Sequence, residues 1–213
     1  MDVYGDGDLT VMRFGPLGPY ANNAYIIADE GSTEALIVDM PQGSAEVIAA
    51  AREMKVKAIL LTHTHPDHWV DYDLVKNAVG APVLCHPAEQ IMPASKMDGQ
   101  LADNQEIKVG PYAVTALHTP GHTPGSTCFV VERFVFTGDT LFPGGPGRTG
   151  SAADLQQTIG SITTTLFALP DQLQVMPGHG DGTTIGEAKH EYAAFAAREH
   201  PADLHGDVTW AGS

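Results

Sequence analysis

Positive charge is scarce in this chain. Eleven Lys and Arg stand against 26 Asp and Glu in 213 residues, for a formal net charge of −15. A surface of that sign repels phosphate backbones and anionic lipid headgroups, so neither nucleic acid nor a membrane surface is expected as a partner. Long apolar runs are missing too, since nothing approaches the ~20 residues of a membrane span. The opening stretch, Met1 to Asp8, has no basic segment followed by an apolar one, and a cytoplasmic location is expected. Cysteine is limited to Cys85 and Cys128. Each lies inside an apolar run and is expected as a buried small hydrophobe rather than half of a disulfide. With no repeat, low-complexity tract or long linker, a single soluble globular domain is expected.

What is present reads first as strands and then as alternating elements. Leu9 to Phe14, Ala24 to Ala28 and Ala35 to Val38 are apolar and β-branched runs, the last two joined by the turn residues Asp29 to Ser32, and predict an antiparallel meander. Ser44 is placed as the N-cap of a helix that turns Val47, Ile48, Ala51 and Met54 to one face, followed by a buried strand at Ala58 to Leu61. A helix near Asp71 to Val79 and a strand at Pro82 to Cys85 follow. Further strands are expected at Tyr112 to Leu117, Thr127 to Glu132, Arg133 to Thr137 and Leu173 to Met176, with helices at Ala152 to Phe167 and Ile185 to Arg198. Sheets with helices packed outside them, in a layered α/β or α+β domain, fit this order.

Histidine is abundant, with 10 residues, and its placement matters more than its number. His63, His65 and His68 lie with Asp67 in six residues directly after a predicted strand. Three further ligand-type residues each follow a glycine shortly after a strand: His122 after Gly121, Asp139 after Gly138 and His179 after Gly178. Glycine lets the backbone turn sharply and approach closely, which separate strand ends need if they are to meet at one point. Imidazoles with carboxylates suit borderline divalent ions such as zinc, whereas calcium or magnesium call for oxygen ligands throughout.

The run His63-x-His65-x-Asp67-His68, followed by Gly121 to Ser126, Thr137 to Phe142 and Pro177-Gly178-His179, resembles the metallo-β-lactamase superfamily. Within it the chain looks most like the hydroxyacylglutathione hydrolases (glyoxalase II) and their small relatives. The resemblance covers about residues 9 to 199, leaves a C-terminal tail at 200–213, and implies an α+β fold, a four-layer αββα sandwich with the metal site along one edge of two facing sheets. It places His63, His65 and His122 on one metal, Asp67, His68 and His179 on a second, and Asp139 between them. Zinc is the first expectation for the two divalent ions, with iron or manganese as alternatives. The chemistry implied is hydrolysis of a small thioester or ester by a hydroxide that bridges two cations, with Asp67 orienting it. A mononuclear iron persulfide dioxygenase using His63, His122 and Asp139, or a lactonase, are the alternatives.

Arg148 aligns with a basic residue that binds glutathione in glyoxalase II and is the candidate substrate-binding residue, a clamp for a substrate carboxylate. Thr149-Gly150 stands where that family has an aromatic residue. The 34 residues after His179 contain only Lys189 and Arg198 as basic side chains, so glutathione is expected to be a poor carrier. Asp39 is read as either a partner of a metal histidine or a turn cap. His86, His118 and Trp69 are read as structural. Pro201 to Ser213 is expected to be loosely ordered or packed at an interface, and a homo-oligomer is left open.

Overall fold

A computed structural model describes residues 1–210 of the chain. Alternation decides its layers. In a strand successive side chains point to opposite faces, so a run buried throughout must be covered on both. The strand β3 (Asn22–Asp29) is such a run: Tyr25 and Ile27 enter one apolar cluster, while Ala24, Ile26 and Ala28 enter another. The same split divides Leu36 and Val38 from Ala35 and Ile37 in β4 (Glu34–Val38), the strand that pairs with it.

The first sheet has seven strands in sequence order. It opens with β1 (Asp2–Asp6), β2 (Leu9–Leu17), β3 and β4, all antiparallel, as the meander expectation required. It then turns parallel through β5 (Lys55–Leu60), β6 (Val83–Cys85) and β7 (Gly99–Gln100). The second sheet runs β8 (Glu106–Val109), β9 (Tyr112–His118), β10 (Thr127–Val131) and β11 (Phe134–Gly138) as antiparallel neighbours. A small ribbon follows, β12 (Leu141–Phe142) with β13 (Gly145–Pro146). The second sheet closes with β14 (Gln174–Pro177), parallel to β11, and β15 (Thr183–Thr184).

Tyr25, Ile27, Leu36, Val38 and Leu60 meet Val114, Ala116, Phe129, Phe134 and Phe136 between the sheets. The outer face of the first sheet is covered by α1 (Ala45–Ala51) and α2 (Tyr72–Val79), which contribute Val47, Ala51, Tyr72 and Val75. The outer face of the second is covered by α3 (Ala152–Thr164) and α4 (Ile185–Ala196), through Ile162, Ile185, Ala188 and Phe195. This is the expected α+β, αββα sandwich in a single domain. Both cysteines are free and buried. Among the described residues no helix is long and apolar enough to cross a membrane.

Several expectations need correction. Ser44 does stand at the N-cap of α1, but its hydroxyl donates to Pro41 O and caps nothing; Asp71 instead accepts from the Gly43 and Ser44 amides. The helix expected to reach Phe167 stops at Thr164 and passes into a 3-10 turn at Leu166–Ala168, after three consecutive β-branched threonines, which lose side-chain freedom in a helix. The strand β1 is mostly exposed and β8 is only four residues long, so neither carried a readable pattern. The tail is not loose over 201–210: Trp210 is fully buried among Phe167, Tyr192 and Phe195. Residues 211–213 of that tail lie outside the described residues.

Glu34 joins the sheets at their shared rim. Its carboxylate accepts from Lys57 Nζ (3.0 Å), the Gly110 amide (3.1 Å) and Lys55 Nζ (3.3 Å). Those donors, Lys57 foremost, hold its pKa at about 2 rather than 4.5. A folded-state value below the unfolded one adds stability above the unfolded pKa and loses it as pH falls through the folded one. Chemical denaturation of Glu34→Gln and the parent is therefore expected to show the parent more stable at neutral pH, with the gap closing as pH approaches 2.

Candidate metal centre

The carboxyl ends of parallel neighbours lie at the same edge of a sheet, and loops leaving them can converge. Here β4 and β5 form such a pair in the first sheet, and β11 and β14 form one in the second. Asp39 follows β4, the segment His63 to His68 follows β5, Asp139 follows β11 and His179 follows β14, while His122 lies beyond the end of β9. The two edges face each other, and all seven sequence-predicted ligands come together. One ligand atom from each of His63, His65 and His122 lies within 4.8 Å of the other two; the same holds for His63, His68 and Asp139, and for Asp67, His68 and His179.

Glycine makes the close approach possible at two of these ends. Gly138 has φ +50°, and a Cβ there would collide with the Thr62 side chain that supports His63. At Gly178 a Cβ would fall on Asp139 Oδ1 and His68 Cε1, inside the cluster.

Four imidazoles share one arrangement. His68 Nδ1 lies 2.9 Å from Asp39 Oδ2, His122 Nδ1 lies 2.8 Å from Arg148 O, and His179 Nδ1 lies 2.8 Å from Tyr20 O. Each oxygen is an acceptor, so each Nδ1 carries the proton. His63 Nδ1 lies 3.1 Å from Thr62 Oγ1, whose own hydrogen is committed to Asp39 Oδ2, so it too donates. The four Nε2 atoms therefore turn lone pairs inward. His68 Nε2 and His179 Nε2 are 3.2 Å apart, and His63 Nε2 and His122 Nε2 are 3.3 Å apart. His65 faces the second pair with Nδ1, at 3.1 Å from His63 Nε2 and 2.9 Å from His122 Nε2. Facing lone pairs at such separations need a proton or a cation between them.

The charges agree. Burial disfavours ionised imidazole at His63 and, with the neighbouring His122, at His65, so both pKa values fall below the usual 6.5. Burial also opposes protonation of His68 and His179, but Asp139 overrides it at both, with Asp39 adding at His68, and their pKa values rise. Asp139 is itself held well below the usual carboxylate range, because His68 and His179 outweigh its burial. Its Oδ1 is buried without a hydrogen-bond partner, with His68 Nε2 3.4 Å away. Oriented lone pairs and an unpartnered buried carboxylate oxygen form a donor set that fits divalent metal ions.

Other residues hold this set, and sequence reasoning reached only one of them. Asp39, at φ +61°, accepts from the Thr62 amide (2.9 Å), Thr62 Oγ1 (2.8 Å) and His68 Nδ1, so of the two expectations it is the partner of a cluster histidine, and its bonds reach distant segments rather than its own turn. Glu89 was missed. It is 5% exposed and accepts from the Thr64 amide and hydroxyl, from the Thr123 hydroxyl and from the Gly125 amide, tying the loop of His63 and His65 to that of His122. Its only signal was an acidic residue shortly after an apolar strand. Asn22 was missed too; its Nδ2 donates to Asp67 Oδ2 at 2.8 Å. The loop of His179 is held by Tyr25 Oη and Asn23 Nδ2, both donating to Pro177 O.

A trench of about 650 Å³ opens on the cluster. Its floor includes Asp67, Asp139 and His179, and Phe142 and Arg148 stand along it. Arg148 has a 75% exposed side chain and faces Asp207 at 3.8 Å. It reaches the cluster through its carbonyl. Asp207 and Val208 complete the wall on a strap held by reciprocal hydrogen bonds between Thr149 and Gly206 and by the Trp210 amide on Gly144 O. Trp69 is structural, as expected, donating to Thr64 O, while His86 and His118 stack on each other outside the cluster.

A family model described as "Metallo-beta-lactamase superfamily" matches residues 17–179. An uncharacterised protein of Mycobacterium leprae is 36% identical over 203 residues, covering 80% of this chain and 92% of its own. The hydroxyacylglutathione hydrolase GloC of Haemophilus influenzae is 34% identical over 200 residues, covering 82% and 92%. Among solved structures, ETHE1 from Myxococcus xanthus superposes with a TM-score of 0.74 at 28% identity, over 88% of this chain and 86% of that one. TTHA1623 in a di-iron-bound form gives 0.69 at 28%, over 83% and 96%.

Glu89→Gln keeps the shape of the side chain but turns an amide NH₂ toward donors that need an acceptor. It is expected to lower the stability of the metal-free protein by about 2–4 kcal/mol, read from urea denaturation.

Proposed function

The chain belongs to the metallo-beta-lactamase superfamily, and within it we propose a dinuclear metal-dependent hydrolase of small thioesters or esters, similar to the hydroxyacylglutathione hydrolases. The observation that carries this reading is the set of imidazoles whose outer nitrogens are pinned to oxygen acceptors so that their inner ones converge. His63, His65 and His122 would hold one ion, Asp67, His68 and His179 the other, and Asp139 both. Zinc suits a site rich in imidazole, with iron or manganese as the alternatives. When bound, such a pair supplies Lewis acidity that lowers the pKa of water toward neutrality and polarises a carbonyl.

The chain's own residues then supply position and proton handling. Asn22 Nδ2 fixes Asp67 Oδ2, so that the Asp67 carboxylate can orient a water and take its proton. The water oxygen forms the new bond to the carbonyl carbon, the carbon–sulfur bond breaks with its electron pair leaving on sulfur, and the proton passes from Asp67 to solvent. A thiolate whose conjugate acid has a pKa of ~8.5 departs without protonation. Beyond the cluster residues the trench lining adds only the exposed Tyr20 phenol and the rim carboxylate of Asp207 as acids, a sparse supply of proton donors that favours thioesters over esters of poor leaving groups.

Arg148 would meet a carboxylate on the carrier, but Asp207 already faces it. That pairing, with Thr149-Gly150 in place of an aromatic residue, supports a carrier other than glutathione. GloC shows by its name that a relative acts on hydroxyacylglutathione, so the substrate within the class is where the two differ.

The second reading is a mononuclear iron persulfide dioxygenase using His63, His122 and Asp139. Asp139 Oδ2 lies 3.6 Å from His122 Nε2 and 4.0 Å from His63 Nε2, so these three also converge. Elemental analysis of protein purified without added metal separates the readings: two zinc ions per chain with thioester cleavage are expected, and one iron with oxygen uptake on a persulfide would overturn the hydrolase. Asp67→Asn is expected to lower kcat by about 10²–10⁴-fold. S-Lactoylglutathione is expected to be a weak substrate; a specificity constant above that of thioesters on neutral thiols would refute the reading of Arg148.

A further inference from the structure

A carbonyl held at Asp67 has two substituents, and both must leave the cluster. The trench beyond Asp139 takes one. Beside Asp67, away from the cavity at His65 and His122, lies a smaller one of about 130 Å³, lined by Pro19, Tyr20, Asn22, Gln42, Pro66, Asp67 and Val70. Tyr20 and Asp67 line both this cavity and the trench, so the two adjoin at Asp67. The polar groups at the inner end of the small one are already engaged with each other, Asn22 Nδ2 donating to Asp67 Oδ2. Its walls are the rings of Pro19, Tyr20 and Pro66 and the Val70 methyls, with Gln42 the remaining polar side chain.

Tyr20 is 68% exposed and Val70 56% exposed, two of the few large apolar side chains left open to water. They are not placed by chance. Tyr20 O accepts from His179 Nδ1, Pro66 begins the turn that carries Asp67 and His68, and Val70 follows that turn. Each wall is therefore tied to a residue of the cluster.

Resting on the hydrolase reading above, we infer that this cleft receives the acyl group of the substrate, and that the preferred substrates are thioesters of short unbranched apolar acids, with the thiol carrier in the larger trench. Size sets the length. A closed apolar cavity of about 150 Å³ takes a six-carbon ring, so 130 Å³ with an open mouth suits a chain of about four or five carbons. A 2-hydroxyl on the acyl group would enter between mostly apolar walls, with Asn22 Nδ2 already donating to Asp67, and is disfavoured.

The test is a series of straight-chain acyl thioesters from two to eight carbons, all on the neutral thiol N-acetylcysteamine, with the metal-loaded enzyme. A buried methylene is worth about 0.8 kcal/mol, or roughly fourfold. The expected kcat/KM rises about three- to fourfold per added carbon up to four or five carbons and then levels. Val70→Asp is expected to flatten the rise, and Val70→Trp, which fills the cleft, to reverse it. A flat series in the parent, or a slope unchanged in both variants, overturns the inference. Methyl NMR gives a readout independent of turnover: butyrate should shift the Val70 methyls saturably, more tightly than acetate does and less so 2-hydroxybutyrate. Failure of every thioester to react would overturn the hydrolase reading, while absence of those shifts would overturn the cleft itself.

Discussion

An imidazole offers a lone pair to one point only if its other nitrogen is held elsewhere, and everything at this site depends on that constraint. Four rings meet it with four different acceptors: the Asp39 carboxylate, the Arg148 and Tyr20 carbonyls, and a threonine hydroxyl whose own hydrogen is committed. None of these acceptors belongs to the cluster. Three of them lie on segments remote in the chain from the ring they hold, and the fourth, Thr62 beside His63, is itself fixed by Asp39, so the direction of these four lone pairs is set from some distance away. Asp39 carries the most, since it orients His68 directly and His63 through Thr62.

The two sheets supply the scaffold for those segments. The first sheet divides evenly between antiparallel and parallel pairings and the second is mostly antiparallel, but each has a parallel pair next to the cluster, and the parallel ends open toward a common edge. The apolar layer between the sheets, with Phe129, Phe134 and Phe136 fully buried, keeps the edges at a fixed separation. Across the gap, buried carboxylates and amides do what apolar packing cannot. Glu89 joins the loop of His63 to that of His122, and Asn23, with the Asn22 bridge to His179, joins the first sheet to the loop of His179.

The acidity of the chain acquires a more specific meaning at the site. A net charge of −15 disfavours polyanions, yet Asp67 and Asp139 belong to the cluster, where bound cations would outweigh them. At the trench rim Arg148 and Asp207 oppose each other, so the entrance carries no excess of either sign from that pair. A small substrate of low charge suits such an entrance better than a dianionic carrier does.

Much of the architecture was legible because its signals are local. Period-two runs announced the meander and the central strands, and the glycines before His122, Asp139 and His179 each followed a strand that had to bring its end to the cluster. The exposed β1, the four-residue β8 and the helix stop at Thr164 were hidden because their causes are weak in any short window. Residue type, spacing and the family resemblance they carry are local features of the chain, so the seven converging residues could be named from the sequence itself. Which nitrogen each histidine turns inward, the role of Glu89, the engagement of Asn22 with Asp67 and the cleft between Tyr20 and Val70 depend on segments 20 to 160 residues apart meeting in space. Those were decided by the tertiary structure alone, because a hydrogen bond between distant loops leaves no periodicity in the chain that makes it.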